Sequence, residues 1–419
     1  MINNLLQFIE GSKSVYHAEQ VLSEYLDKNK FKKLDLEKPF ELKRSGKYYI
    51  AKDGAVVAFR IDDPNKFKIV VSHTDSPTLK IKSNADIESN GYHLLNVEVY
   101  GGPILNTWFD KPLSIAGVVH CLQGNEVVEH VVDFGRAICT IPNLAIHMNR
   151  EVNNGVAIDK QKDLKPLLYI DGQPIKGKKF VEILAEELGV KSEDILSYEL
   201  NLYNVTPPVV FGLNDEFIQS ARLDNLSMAI SSIEGLVNSK KGSGISMAAC
   251  LNSEEIGSQT MNGGDSGFLS NILERIVLNL GMSREDYLIA LERSFVISAD
   301  LAHAVHPNFA DKADPTNRPR INGGFVIKNS SNKRYATDSK SEAYLVKLAK
   351  KNKIPYQIFF NHSNVVGGTS LGPIISANLP VRTIDIGNPI LGMHSERETG
   401  GVEDYKGIIK LFSAFYGDK

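Results

Sequence analysis

Short apolar runs alternate with amphipathic stretches along most of the chain. Residues 1–30 carry Leu5, Phe8, Ile9, Ala18, Val21, Leu22 and Tyr25 at helical spacings, which predicts one or two amphipathic helices. The runs Tyr48–Ala51, Ala55–Arg60 and Phe67–Ser72 read as short strands, and Ile245–Leu251 reads as a buried strand. A helix through Met228, Ile230, Ile233 and Leu236 precedes that run, and a helix over Phe268–Leu280 follows it. Beyond these come a strand at Ser294–Ser298, a helix at Lys340–Lys350, strands at Tyr356–Phe360 and Val381–Ile386, and a carboxy-terminal helix. This alternation predicts an α/β domain, a mixed sheet with helices on both faces.

From about Leu79 to Leu213 the texture changes. Leu94–Val99, Ser114–Val119 and Val127–Asp133 alternate apolar and polar residues between glycine and proline turns, which is the pattern of antiparallel β structure. A helix from Lys179 to Leu188 closes on Gly189. We read this segment as an insert. The expected organisation is a discontinuous domain over 1–84 and 214–419, interrupted by a β-rich domain over 85–213.

Composition narrows the function. With 419 residues and 42% apolar content the chain can bury a large core, and 47 Lys and Arg against 50 Asp and Glu leave a net charge of -3. There is no basic stripe, so nucleic acid is not an expected partner. Cys121, Cys139 and Cys250 form no CxxC pair, and an odd count argues against a disulfide framework and for a reducing compartment. No stretch reads as a signal peptide or approaches the roughly 18 apolar residues of a membrane span. A cytoplasmic protein with no membrane partner is expected.

The candidate chemistry lies where strands end. Ile245–Leu251 runs into Glu254-Glu255, and in open α/β sheets the carboxyl edge of the strands is where sites form. Adjacent glutamates are ordinary on a solvated surface. In a cleft they repel, unless a cation holds one while the other serves as acid or base. Phe67–Ser72 runs into His73, with Asp75 spaced to fix the imidazole tautomer of a metal ligand. Asp224, just before a helix, has the position of an N-cap. Asp300 follows the strand at Ser294–Ser298, and His394 follows Val381–Ile386. Together His73, Asp224, Glu255, Asp300 and His394 supply two imidazoles and three carboxylates, enough for two divalent ions, with Glu254 left as general base. Nitrogen and oxygen donors without thiolate favour zinc, with manganese or cobalt as other occupants. The glycine-rich Gly367–Gly372 has no GxxxxGK and is a weak nucleotide signal.

The motifs HTDSP, RLDNL, NSEEIGS, SADLAHAVHPN, GGTSLGPI and MHSERE stand in the order found in the M18 metallo-aminopeptidases, the aspartyl aminopeptidase family, which the chain resembles over nearly its whole length. The insert is similar to that family's dimerisation domain in YGGPILNTWFDKPL and IPNLAIHMNR. The resemblance implies a zinc-peptidase fold in which His73 and Asp300 bind one zinc, Glu255 and His394 the other, and Asp224 bridges them. It makes Asp75 the orienter of His73 and Glu254 the base. It assigns Lys328 to recognition of amino-terminal Asp or Glu, places Gly368 and Thr369 among the substrate-binding residues, and brings His147 across a dimer to the substrate carbonyl. It also implies a cis peptide between Asp224 and Asn225, peptide substrates, and a homo-oligomer built from dimers, commonly a dodecamer. On the residues alone, Lys328 is a solvated strand end and His147 a strand-edge residue. Two other readings stay open: a related di-metal dipeptidase or deacylase with a different pocket, and an assembly protein without catalysis.

Overall fold

The computed structural model describes residues 2–155, 157–172 and 176–419, which fall into two compact units. The first comprises the chain through Ser76, Pro208–Met393 and Glu398–Lys419; the second comprises Pro77–Pro207 and His394–Arg397. The divisions at 76/77 and 207/208 replace those read at 84/85 and 213/214, because the strand Thr78–Ser89 is already paired with strands of the insert. The assignment of 394–397 to the second unit has no counterpart in the sequence reading.

The first unit is built on a nine-stranded mixed sheet. Its order is Lys32–Lys33, Lys47–Lys52, Ala55–Ile61, Ile245–Leu251, Phe67–His73, Phe295–Ala299, Arg382–Gly387, Phe325–Lys328 and Tyr356–Phe359. The four central strands, Ile245–Leu251 through Arg382–Gly387, are mutually parallel. Their residues are buried on both faces, which is why Ile245–Leu251 reads as a nearly unbroken apolar run. Alternate residues point to opposite faces. Val70, Ala248, Ile297 and Ile384 pack with Leu5, Leu22, Ile230, Phe412 and Phe415, side chains of the helices Ile2–Gly11, Val15–Lys28, Leu223–Asn238 and Val402–Gly417. Ile69, Val71, Met247 and Val296 pack on the other face with Leu273 and Ile276 of Phe268–Asn279, Tyr287 of Arg284–Glu292 and Ile375 of Leu371–Asn378.

The second unit holds a six-stranded sheet in the order Glu126–Asp133, Leu113–Gln123, Ile195–Asn204, Thr78–Ser89, Tyr92–Tyr100 and Leu167–Ile170, every adjacent pair antiparallel. The helix Phe180–Leu188 ends on Gly189 at φ 67°, and Trp108 is buried in this unit's core. Among the described residues no helix is long and apolar enough to cross a membrane. Cys121, Cys139 and Cys250 are buried free thiols.

Candidate active site

Parallel strands end together, so residues far apart in the chain meet at one edge of the sheet. Leu251 pairs with His73, and Phe295–Ala299 lies on the other side of the same strand. His73 is therefore at the edge, with Asp300 one residue past Ala299 and Glu254 and Glu255 in a short 3₁₀ turn, Glu254–Ile256. Any Cβ at Gly387 would lie 1.8 Å from the Asp300 carbonyl oxygen, so glycine is what lets that strand reach the edge so closely. Asp224 arrives from a different direction, inside the first turn of Leu223–Asn238. It is not the N-cap that its position suggests: its φ and ψ are -80° and 108°, and the Asp224–Asn225 peptide is cis, as the resemblance implies. Its backbone N–H donates to Glu398 Oε2 at 2.9 Å, and its carbonyl accepts from Ser76 Oγ at 2.7 Å. The side chain of Asn225 is tied to the carbonyl of Ala299, next to Asp300, at 2.9 Å.

His73 is buried, and its Nε2 lies 3.6 Å from Asp224 Oδ1, 3.6 Å from Asp300 Oδ1 and 3.9 Å from Glu254 Oε2. Its Nδ1 lies 3.1 Å from the carbonyl of Asp75 and 3.3 Å from its carboxylate. A carbonyl can only accept, so Nδ1 carries the hydrogen and a neutral ring turns its Nε2 lone pair toward three carboxylates. With the ring neutral, those facing acceptors call for a metal cation among them; without a metal, a proton on the ring takes that place. One ligand atom from each of His73, Asp224 and Glu255 falls within 4.8 Å of the others, a donor set of imidazole and carboxylates that suits zinc. Asp75 does more than its spacing suggests. Its two carboxylate oxygens accept the backbone N–H groups of Glu254, at 3.0 Å, and Glu255, at 3.1 Å.

The chain that carries this arrangement is similar to known proteins over nearly its whole length. The profile of the family described as Aminopeptidase I zinc metalloprotease (M18) matches residues 8–416. The chain belongs to the M18 family. It is an aminopeptidase, a hydrolase. A probable M18 family aminopeptidase 2 of Clostridium acetobutylicum is 44% identical over 98% of this chain and 97% of its own length. Among solved structures, the cryo-EM structure of the Ape4 and Nbr1 complex is similar at 32% identity and a TM-score of 0.95, covering 99% of this chain and 85% of that one. The S. cerevisiae mApe1 dodecamer matches at 25% identity and a TM-score of 0.86, over 99% of this chain and 95% of that one.

Lys328 ends the strand Phe325–Lys328 but is not solvated: it is 2% exposed, its Nζ 3.2 Å from the Leu301 carbonyl, 3.5 Å from Asp300 Oδ2 and 5.2 Å from the centre of the Tyr335 ring. Gly368 and Thr369 precede the helix Leu371–Asn378, which takes in the last two residues of the glycine-rich run, and Thr369 Oγ1 donates to the Arg334 carbonyl. His147 is exposed in a turn of the second unit, not on a strand edge. His394, also in that unit, has a φ of 66°, and its Nδ1 donates to the Gly102 carbonyl at 3.0 Å.

The ionisation of these groups follows from burial and charge. Burial first, and then Asp300 and Asp75, raise Glu254 to about 7 against the pull of His73. Burial also raises Asp224, which is further repelled by Asp300, and Glu255, which is further repelled by Asp224. Burial opposes the His73 imidazolium, but bonding to Asp300 and Asp75 outweighs it and lifts the ring well above its ordinary value. Asp300 goes the other way: burial would raise it, but Lys328 and His73 hold it far below the usual carboxylate range. Raised carboxylates contribute stability below their unfolded pKa, and that contribution is lost as pH climbs through the folded value. The same sign holds for the raised His73. The melting temperature of the chelator-treated protein is therefore expected to fall between about pH 5 and pH 8, with a shallower fall in Glu254→Gln. Zinc should stabilise more at pH 8 than at pH 5, since its ligands must be deprotonated. A flat profile in scanning calorimetry, or an equal zinc effect at both pH values, would contradict this.

Proposed function

We propose that this M18 aminopeptidase removes Asp or Glu from the amino terminus of peptides, using two divalent ions per chain, with zinc the expected metal and manganese or cobalt as other occupants. The observation that carries the reading is the meeting of buried His73 and Asp224 with part-exposed Glu255, and with Glu254 beside them. When bound, the ions acidify a water and polarise the scissile carbonyl. His73 and Asp300 would hold one ion and Glu255 and His394 the other, with Asp224 shared, as the resemblance assigns. Asp75 orients His73 through Nδ1 and fixes both glutamates by their backbone N–H groups, so imidazole and carboxylates keep one geometry. Glu254 takes the proton of the attacking water and returns it to the leaving amine; a pKa of about 7 suits both directions. Lys328, buried and charged, pairs with the substrate's side-chain carboxylate, with Gly368 and Thr369 along the same pocket. By the resemblance, His147 of a partner copy donates to the substrate carbonyl oxygen, where charge develops in the transition state. That makes a dimer-based oligomer, a dodecamer as in the yeast mApe1, the working form.

The test is a panel of peptides with amino-terminal Asp, Glu or Leu, and the same peptides with a blocked amino group. Acidic residues should be released in preference and blocked peptides left intact. Preference for Leu would overturn the acidic assignment, and cleavage of blocked peptides would favour a deacylase. Lys328→Met is expected to lower kcat/KM on the acidic peptides by roughly 10²-fold and on Leu peptides far less. Equal losses would make the lysine a structural residue.

A further inference from the structure

The strand Arg382–Gly387 carries a buried carboxylate that this reaction does not use. Asp385 is fully buried, and its two oxygens hold two separate loops. Oδ1 accepts from Ser370 Oγ at 2.6 Å, and Oδ2 accepts from the backbone N–H of Ala336 at 2.6 Å. Ser370 is the neighbour of Thr369, and Ala336 is the neighbour of Tyr335, whose ring lies beside Lys328 Nζ. The Asp385 N–H donates to Thr337 Oγ1 at 3.0 Å, and Thr369 Oγ1 ties the two loops to each other through the Arg334 carbonyl at 3.1 Å. A Cβ on Gly372 would lie 2.1 Å from Asp385 Oδ2, so glycine is what lets the first turn of Leu371–Asn378 close onto the carboxylate.

The strand register adds an independent argument. Val326 pairs with Gly387 and Ile327 with Ile386, antiparallel, so one step further puts Lys328 across from Asp385. Directly opposed residues of an antiparallel pair share a face with their Cβ atoms roughly 5 Å apart. Burial raises the Asp385 pKa, while the Lys328 charge and the bonds from Ser370 and Ala336 pull it back. In the reverse direction, burial works against the Lys328 charge, and Asp300, Tyr335 and Asp385 sustain it.

The geometry points to Asp385 as the positioning residue of the acidic-specificity pocket: it latches the Tyr335 and Thr369 loops around Lys328 and opposes the lysine from the neighbouring strand. This rests on the role proposed for Lys328. Asparagine at 385 keeps the shape but removes the charge that faces Lys328, and its bonds to the Ala336 N–H and, through its amide, to Ser370 Oγ are neutral ones roughly half as strong, so both loops are held less tightly.

The experiment compares Asp385→Asn, Ser370→Ala and Lys328→Met in the metal-loaded enzyme. It measures kcat/KM for Asp and Leu peptides, and amide exchange over residues 330–337 and 366–370. Asp385→Asn should lower the Asp-to-Leu ratio of kcat/KM by roughly ten-fold, mainly through KM for the Asp peptide, and speed exchange in both loops. Ser370→Ala, which cuts one arm, should move the ratio the same way by less. A folded Asp385→Asn enzyme that loses activity equally on both peptides, or keeps the ratio, overturns the proposal. If Asp385→Asn does not fold, Ser370→Ala decides: a lowered ratio supports the latch and an unchanged ratio overturns it. If Lys328→Met leaves the ratio intact, the specificity reading fails by itself. Exchange in the Asp385→Asn or Ser370→Ala protein then judges the latch, with faster exchange supporting it and unchanged exchange overturning it.

Discussion

Glu254→Gln is expected to reduce turnover by roughly 10² to 10⁴ while metal content stays at the wild-type level. The substitution keeps the side chain's shape and its backbone bond to Asp75, and removes only the ability to take a proton. The position suits a base. Glu254 Oε2 is 3.9 Å from His73 Nε2, slightly farther than Asp224 and Asp300 at 3.6 Å, and burial lifts its pKa to about 7. Metal analysis of the purified variant beside its kinetics separates the possible roles. A variant that loses its metal would make Glu254 a ligand, and one that keeps its turnover would remove it from the proton path.

Asp224→Ala should be as damaging for a different reason. A carboxylate shared between two ions weakens both when it is removed, so both should be lost together and activity should fall with them. The metal-free variant gives an internal control. Asp224 is a buried carboxylate repelled by Asp300 and Glu398, so in the metal-free state at pH 8 its removal relieves repulsion. Metal-free Asp224→Ala should then be no less stable than metal-free wild type, while zinc no longer stabilises it. If only one ion is lost, Asp224 belongs to that ion alone.

Much of this site was legible because parallel strands make their ends coincide. Once Phe67–His73, Ile245–Leu251 and Phe295–Ala299 read as buried strands, His73, the two glutamates and Asp300 had to share an edge. What was not legible is what holds those residues still. Glu398 and Ser76 grip the backbone of Asp224 across 174 and 148 residues of sequence, and no local pattern encodes such a pairing. Asp75 could be read as a partner of His73 from two residues away, but not as the acceptor of two backbone N–H groups 179 and 180 residues on. Asp385 gave no signal at all inside an apolar strand. The helix Arg284–Glu292 was also missed. It is short, with only Tyr287, Ala290 and Leu291 buried, so its apolar stripe is narrow, although the Ser283 and Asp286 capping box was there to be read.

Catalysis is proposed to need two metal ions held by these ligands, with Glu254 as the base. The most direct measurement is a zinc titration of the metal-free protein followed by the initial rate of release of amino-terminal Asp. The rate should be negligible at the start and saturate at two zinc ions per chain, with the same binding stoichiometry but almost no rate in Glu254→Gln. Hydrolysis by the metal-free protein, or full activity reached at one zinc per chain, would contradict it.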